Sequence, residues 1–94
     1  MTGETMTVVL QGEFDVTSAE ALSASLERIH QRGPSRLIFD LAAVGYVDCA
    51  SARLIAGTGR WLPPGVKPVI ISPSPLVRRV LQVSGIEELC EVER

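Results

Sequence analysis

Apolar positions along the 94-residue chain fall into short β-branched runs separated by stretches of helical period. Thr5 to Leu10 is rich in Thr and Val and runs into Gly12, the pattern of a strand that ends in a turn. Thr17 followed three residues later by Glu20 has the spacing of a capping box, in which each side chain serves the other's backbone amide, so a helix is expected to begin there. Leu22, Leu26 and Ile29 recur at helical spacing on one face, with Ser23, Glu27, Arg28 and Gln31 off it. Gly33 and Pro34 stop that helix. Leu37, Ile38 and Phe39, in succession within Arg36 to Leu41, read as a strand buried on both faces. Tyr46 and Val47 lead into Asp48, whose carboxylate can cap a second helix from Cys49 to about Trp61, with Leu54 and Ile55 inward. Gly57 and Gly59 each cost that helix about 1 kcal/mol relative to Ala, so its last turn is expected to be loose or tightened, and Pro63, Pro64 and Gly65 end it. Val69 to Ile71 is another strand. Ser74 as N-cap and Pro75 at the first helical position open a third helix, with Leu76, Val77, Val80 and Leu81 as its inner stripe and Gly85 at its end. Leu89 to Val92 can add a final short strand.

The order β-α-β-α-β-α-β predicts an α/β domain with a mixed, mainly parallel sheet joined by right-handed crossovers and packed with three helices. The length places it in one domain spanning residues 1–94. Hydrophobic residues make up 46% and charged residues 21%, the balance of a chain that folds, and with only Phe14, Phe39, Tyr46 and Trp61 as aromatics the core must be aliphatic. The net charge of −2 and the scatter of eight arginines and Lys67 along the chain give no basic run, so direct nucleic-acid binding is not expected. No apolar run approaches the roughly 20 residues of a membrane span. Met1 to Thr5 is polar and unlike a signal peptide, so the expected location is the cytoplasm, with both cysteines reduced.

No Ser-His-Asp set, metal-ligand cluster or paired acid/base spacing emerges, so neither an enzyme nor a metal or cofactor site is expected. Gly57-Thr58-Gly59-Arg60 lies inside a helical pattern and lacks the continuation of a phosphate-binding loop. His30 falls at the end of the first helix without a catalytic partner, Trp61 is expected to pack against Pro63, and Arg78 and Arg79 are expected on the solvated side of the third helix. Asp15 stands in the turn before the first helix, where a local cap and a binding residue are both open readings.

Four blocks of the chain resemble, in order and spacing, the STAS domain family: Val9-Leu10-Gln11-Gly12-Glu13-Phe14-Asp15, Leu37-Ile38-Phe39-Asp40-Leu41, Val44-Gly45-Tyr46-Val47-Asp48, and Pro73 to Leu81 continued by Gly85-Ile86. The resemblance is closest to the bacterial anti-sigma factor antagonists. It implies a protein that docks an anti-sigma factor of the Ser/Thr kinase type, frees a sigma factor, and so regulates transcription by partner switching. The implied docking patch is Asp15 with Asp48, Cys49, Ala50, Ser51 and Arg53. In that family the residue after the acid matching Asp48 is a Ser or Thr that the partner kinase phosphorylates to break the complex. Here Cys49 occupies the position, Ala50 is next, and Ser51 stands where the family usually has Gly.

Three readings of the altered tip remain open. Docking persists without the phosphate switch; Ser51 serves as a displaced phosphosite in the first helical turn; or Cys49 is a redox switch, with Cys90 as partner if the last strand brings it near. The positive end of the helix favours the thiolate of Cys49, and Asp48 opposes it. The family commonly carries a further C-terminal helix, which is expected to be absent or truncated here, and an exposed sheet face makes a homo-oligomer a further expectation. Rival readings are a STAS subunit of a membrane lipid-transport ATPase complex and a small-ligand or nucleotide-sensing regulatory domain.

Overall fold

Four strands, β1 (Thr5–Phe14), β2 (Arg36–Val47), β3 (Val69–Ile71) and β4 (Glu91–Val92), alternate with three helices, α1 (Ala19–Gln31), α2 (Cys49–Gly57) and α3 (Pro75–Val83), in the computed structural model, which describes residues 3–93. Of the domain expected over 1–94, residues 1, 2 and 94 lie outside that range. The strands lie side by side in chain order and all three pairings are parallel, so the sheet expected to be mixed holds no antiparallel pair among the described residues. Each right-handed crossover steps one strand in the same direction. All three helices therefore fall on one face of the sheet.

That one-sided layering explains the burial pattern. Val8, Phe39, Ile70 and Val92 pair across the sheet as one row under the helices, and Leu37 and Leu41 flank it in β2. They meet Leu22, Leu26 and Ile29 of α1, Ala52, Ile55 and Ala56 of α2, and Val77 and Leu81 of α3 in a single core. The opposite face carries Thr7, Val9, Ile38, Asp40 and Ile71, none of them fully buried, and Val69, which is buried beside Ile38. The strand expected to be buried on both faces is thus buried on one, because three residues of continuous hydrophobicity do not reveal whether helices cover both sides.

β1 also runs further than its apolar stretch indicates. Gly12 sits inside it at φ +95°, a left-handed conformation that suits glycine, between two shifts of the β1–β2 register. In place of the expected turn the strand continues, with Gly12 paired to Val44 and Phe14 to Val47. The extra residues of the ladder lie in β2, where Gly45 falls between the partners of Gly12 and Glu13. The loosened end of the second helix becomes a 3-10 turn over Thr58–Trp61, in which the buried Thr58 hydroxyl donates to the Ile55 carbonyl at 2.7 Å. Gly59 suits the close approach there, since a Cβ would lie 3.1 Å from Pro68 Cδ and would crowd it. Trp61 stacks on His30, with ring centroids 4.3 Å apart and planes 7° from parallel. Arg78 is tied down as well, donating to the Glu93 carbonyl at 3.1 Å.

Truncating Phe39, which is completely buried at the centre of the inner row, is expected to cost about 3–5 kcal/mol in Phe39→Ala, read as a drop in urea midpoint at unchanged m-value. The same change at exposed Thr7 should stay within about 0.5 kcal/mol. Equal losses at the two positions would contradict the one-sided core.

Candidate functional site

The last rung of the β1–β2 ladder is Phe14 opposite Val47, and the Asp48 amide continues it by donating to the Phe14 carbonyl at 2.9 Å. Strand neighbours stand about 4.8 Å apart, so Asp15 and Asp48 leave the sheet side by side at one pole. Each carboxylate then caps the helical turn that begins just after it. Asp15 Oδ1 accepts from the Thr17 amide at 2.9 Å and from the Thr17 hydroxyl at 2.6 Å, while the Ser18 hydroxyl oxygen accepts from the Asp15 amide at 2.9 Å. The capping box expected between Thr17 and Glu20 is therefore formed two residues earlier, by Asp15 and Ser18, and it opens a 3-10 turn over Val16–Ser18 ahead of α1. Asp48 Oδ1 accepts from the Ser51 amide at 2.7 Å and starts α2.

The helical period of α2 sorts the remaining candidates. Cys49 is half-exposed, Ala50 and Arg53 are exposed, and all three lie at the tip or one turn along it. Ser51 points the other way. Its side chain is 1% exposed and its hydroxyl has no hydrogen-bond partner, so a kinase cannot reach it while α2 is formed. Its burial argues against the displaced-phosphosite reading. The Glu13 carboxylate lies across Gly45, where a Cβ would approach it to 2.8 Å, and adds a third acid near the Asp15–Asp48 pole. Val16, 81% exposed beside Asp15, is the apolar member of this surface. Nothing in the local pattern marked Val16, because a valine next to a turn acid reads equally well as the first core residue of a helix.

The proposed partner thiol is far from this pole. Cys90 is buried at the start of β4, where Gly59 approaches the Leu89 carbonyl. Gly59 is ten residues of helical chain from Cys49, about 15 Å at 1.5 Å per residue, well beyond the 4.4–6.8 Å of a disulfide. An intramolecular Cys49–Cys90 switch is therefore excluded by topology. Burial pushes the Cys90 thiol up to about 11, with nearby Lys67 acting weakly against the rise. The Asp15 carboxyl is held below its ordinary 3.8 by the Thr17 hydroxyl first and the Thr17 amide second. A cleft of about 390 Å³ lies beside the far end of α2, and its charged lining residues, Arg60, Lys67 and Glu88, are all exposed.

NMR titration of the carboxyl carbons should find Asp15 below 3.8, and Thr17→Val should raise it. The bonds favour the carboxylate, so the stabilisation they bring is present at neutral pH and is lost as acid takes Asp15 through its lowered value. Identical titrations in the two proteins would remove Thr17 as the cause. A thiol reagent should label the native protein at Cys49 alone and reach Cys90 only after denaturation. Labelling of both at equal rate would contradict the burial of Cys90.

Known proteins share this fold. The chain is 30% identical over 88 residues to an anti-sigma F factor antagonist of Lysinibacillus sphaericus, covering 92% of this chain and 75% of that protein. The solved structure of the anti-sigma factor antagonist SpoIIAA in its unphosphorylated form superposes with a TM-score of 0.77 at 26% identity, over 100% of this chain and 84% of that one. The Bacillus cell fate determinant SpoIIAA in its phosphorylated form gives a TM-score of 0.66 at 25% identity, over 100% of this chain and 86% of that one. The family model described as the STAS domain matches residues 1–94, and the chain belongs to the STAS domain family.

Proposed function

We propose that this protein is an anti-sigma factor antagonist, a docking module whose acid-capped pole binds an anti-sigma factor and releases a sigma factor. The observation that carries the reading is the juxtaposition of two N-cap carboxylates, Asp15 and Asp48, at the ends of adjacent parallel strands, with Cys49, Ala50 and Arg53 exposed beside them. The relatives' names support it, since both the Lysinibacillus protein and SpoIIAA are anti-sigma factor antagonists. Docking of this kind needs a rigid surface rather than reacting groups. The caps provide it by fixing the first turn after each strand with short hydrogen bonds.

The partner, in this reading, is an anti-sigma factor of the Ser/Thr kinase type, and the altered residue is where the phosphate switch is lost. Cys49 occupies the first position of α2, where a phosphate would meet Asp48 and the acidic pole. A thiol does not replace the hydroxyl that such a kinase uses, so docking persists and phosphate does not release it. The buried Ser51 hydroxyl offers no substitute.

Binding to the cognate anti-sigma factor tests the surface. Ala50→Arg alters an exposed residue with no capping role, so affinity should fall at least about tenfold, roughly 1.4 kcal/mol, with the circular dichroism unchanged. Unchanged affinity would remove the tip of α2 from the interface. Incubated with the partner kinase and ATP, the wild-type protein should take up no phosphate, whereas Cys49→Ser should accept the γ-phosphoryl group on its hydroxyl, release ADP, and dissociate. Phosphate uptake at Ser51 in the wild type would overturn the reading of Cys49.

A further inference from the structure

The two edges of the sheet are built differently. β4 ends the sheet on one side with only two residues, Glu91–Val92, bordered by the carboxylates of Glu91 and Glu93 and tied to Arg78 through the Glu93 carbonyl. Short length and charge are the ordinary means by which an edge is kept from pairing with another chain. β1 ends the sheet on the other side with 10 residues, and between Thr5 and Gly12 it contains no charge and no proline. One edge is guarded and the other is open.

The open edge also complements itself. Before the left-handed Gly12 its regular stretch is Thr5 to Gln11, with Val8 at the centre. If a second β1 runs antiparallel to it about Val8, residues directly opposite share a face of the sheet. Met6 then faces Leu10 of the second copy and Val8 faces Val8, so the half-buried apolar row on the helix side is extended instead of exposed. On the other face Thr7 meets Val9, and Thr5 meets Gln11. No like charges oppose. Beside the edge, a groove of about 290 Å³ between β1 and α1 is lined by Leu10, Phe14, Ala21 and Ser25 among others, which leaves room for the partner's side chains. Small residues on that side of α1 also let the corresponding helix of a second copy approach.

We infer that the free edge of β1 is a self-association surface, at which two copies of this chain pair antiparallel about Val8 into one continuous sheet. This surface uses none of the residues of the docking pole.

Charge placed on the exposed side of the strand tests it, because Thr7 and Val9 face solvent in the single chain and Val9 is 59% exposed. Analytical ultracentrifugation of the wild type up to about 1 mM should show a species of twice the 10.1 kDa chain mass. Thr7→Lys/Val9→Lys puts like charges opposite each other twice, and so does Thr7→Glu/Val9→Glu, so each double variant should sediment as a monomer with its circular dichroism intact. Mixing the two should restore the doubled mass, since each lysine then faces a glutamate. A monomeric wild type, or a lysine variant that still doubles its mass, overturns the proposal. If the mixture stays monomeric, the pairing about Val8 is wrong.

Discussion

The β1–β2 ladder sets the geometry on which everything else rests. Parallel strands end at the same pole, so the residues just past β1 and β2 are neighbours in space although a whole helix and a strand separate them in the chain. An antiparallel pairing would have sent Asp15 and Asp48 to opposite ends. The ladder reaches that pole through two register shifts whose extra residues lie in β2, and Gly12, paired to Val44 between them, takes φ +95° without ending the strand. A residue with a Cβ meets no neighbour there, so the constraint is conformational and not steric packing.

At the pole, structure and surface chemistry come from the same groups. Asp15 and Asp48 each turn Oδ1 to an amide that a helix start would otherwise leave unpaired, and this fixes where their charge sits. The cap also fixes the phase of α2. With Ser51 anchored by its amide to Asp48, the wheel puts Ser51, Ala52, Ile55 and Ala56 inward and leaves Cys49, Ala50 and Arg53 outside. The Ser51 hydroxyl is left buried without a partner, a state that costs about 1–3 kcal/mol for a polar group. An alanine there would avoid that cost.

Much of this was legible in the residues. Helix starts at Asp48 and Ser74-Pro75, the stop at Gly33, the inner stripes of α1 and α2 and the tightened end of α2 all arise from local chemistry that tertiary contacts do not override. Leu76, by contrast, expected in the inner stripe of α3, is 56% exposed and leaves Val77 and Leu81 as its buried members. The elements that differed are those for which local signals compete. Thr17-Glu20 and Asp15-Ser18 both have capping-box spacing, and the second prevails because Asp15 comes directly after the last paired residue of β1. Gly12 has the look of a turn and stays a paired strand residue, a choice made by β2 pairing alongside it. The burial of Ser51 depends on helical phase, and the separation of Cys49 from Cys90 depends on topology. Neither quantity is encoded near the residue concerned. The stacking of His30 on Trp61 joins α1 to the turn after α2 and has no sequence signature at all.

The same strand order that gathers the caps also leaves β1 on the outside. Because chain order equals spatial order, the first strand must be an edge, and because all crossovers are right-handed, no helix crosses to cover the second face. The proposed docking pole uses the ends of the strands, whereas the proposed self-pairing uses the flank of one of them, so the two surfaces would not compete. In a pair related by a two-fold axis through Val8, the second β1 runs in the opposite direction and its pole points away from the first. Such a dimer would present two separated docking surfaces facing opposite ways. Two subunits of a partner could be held at once, and avidity would then depend on whether the partner is itself paired with matching spacing.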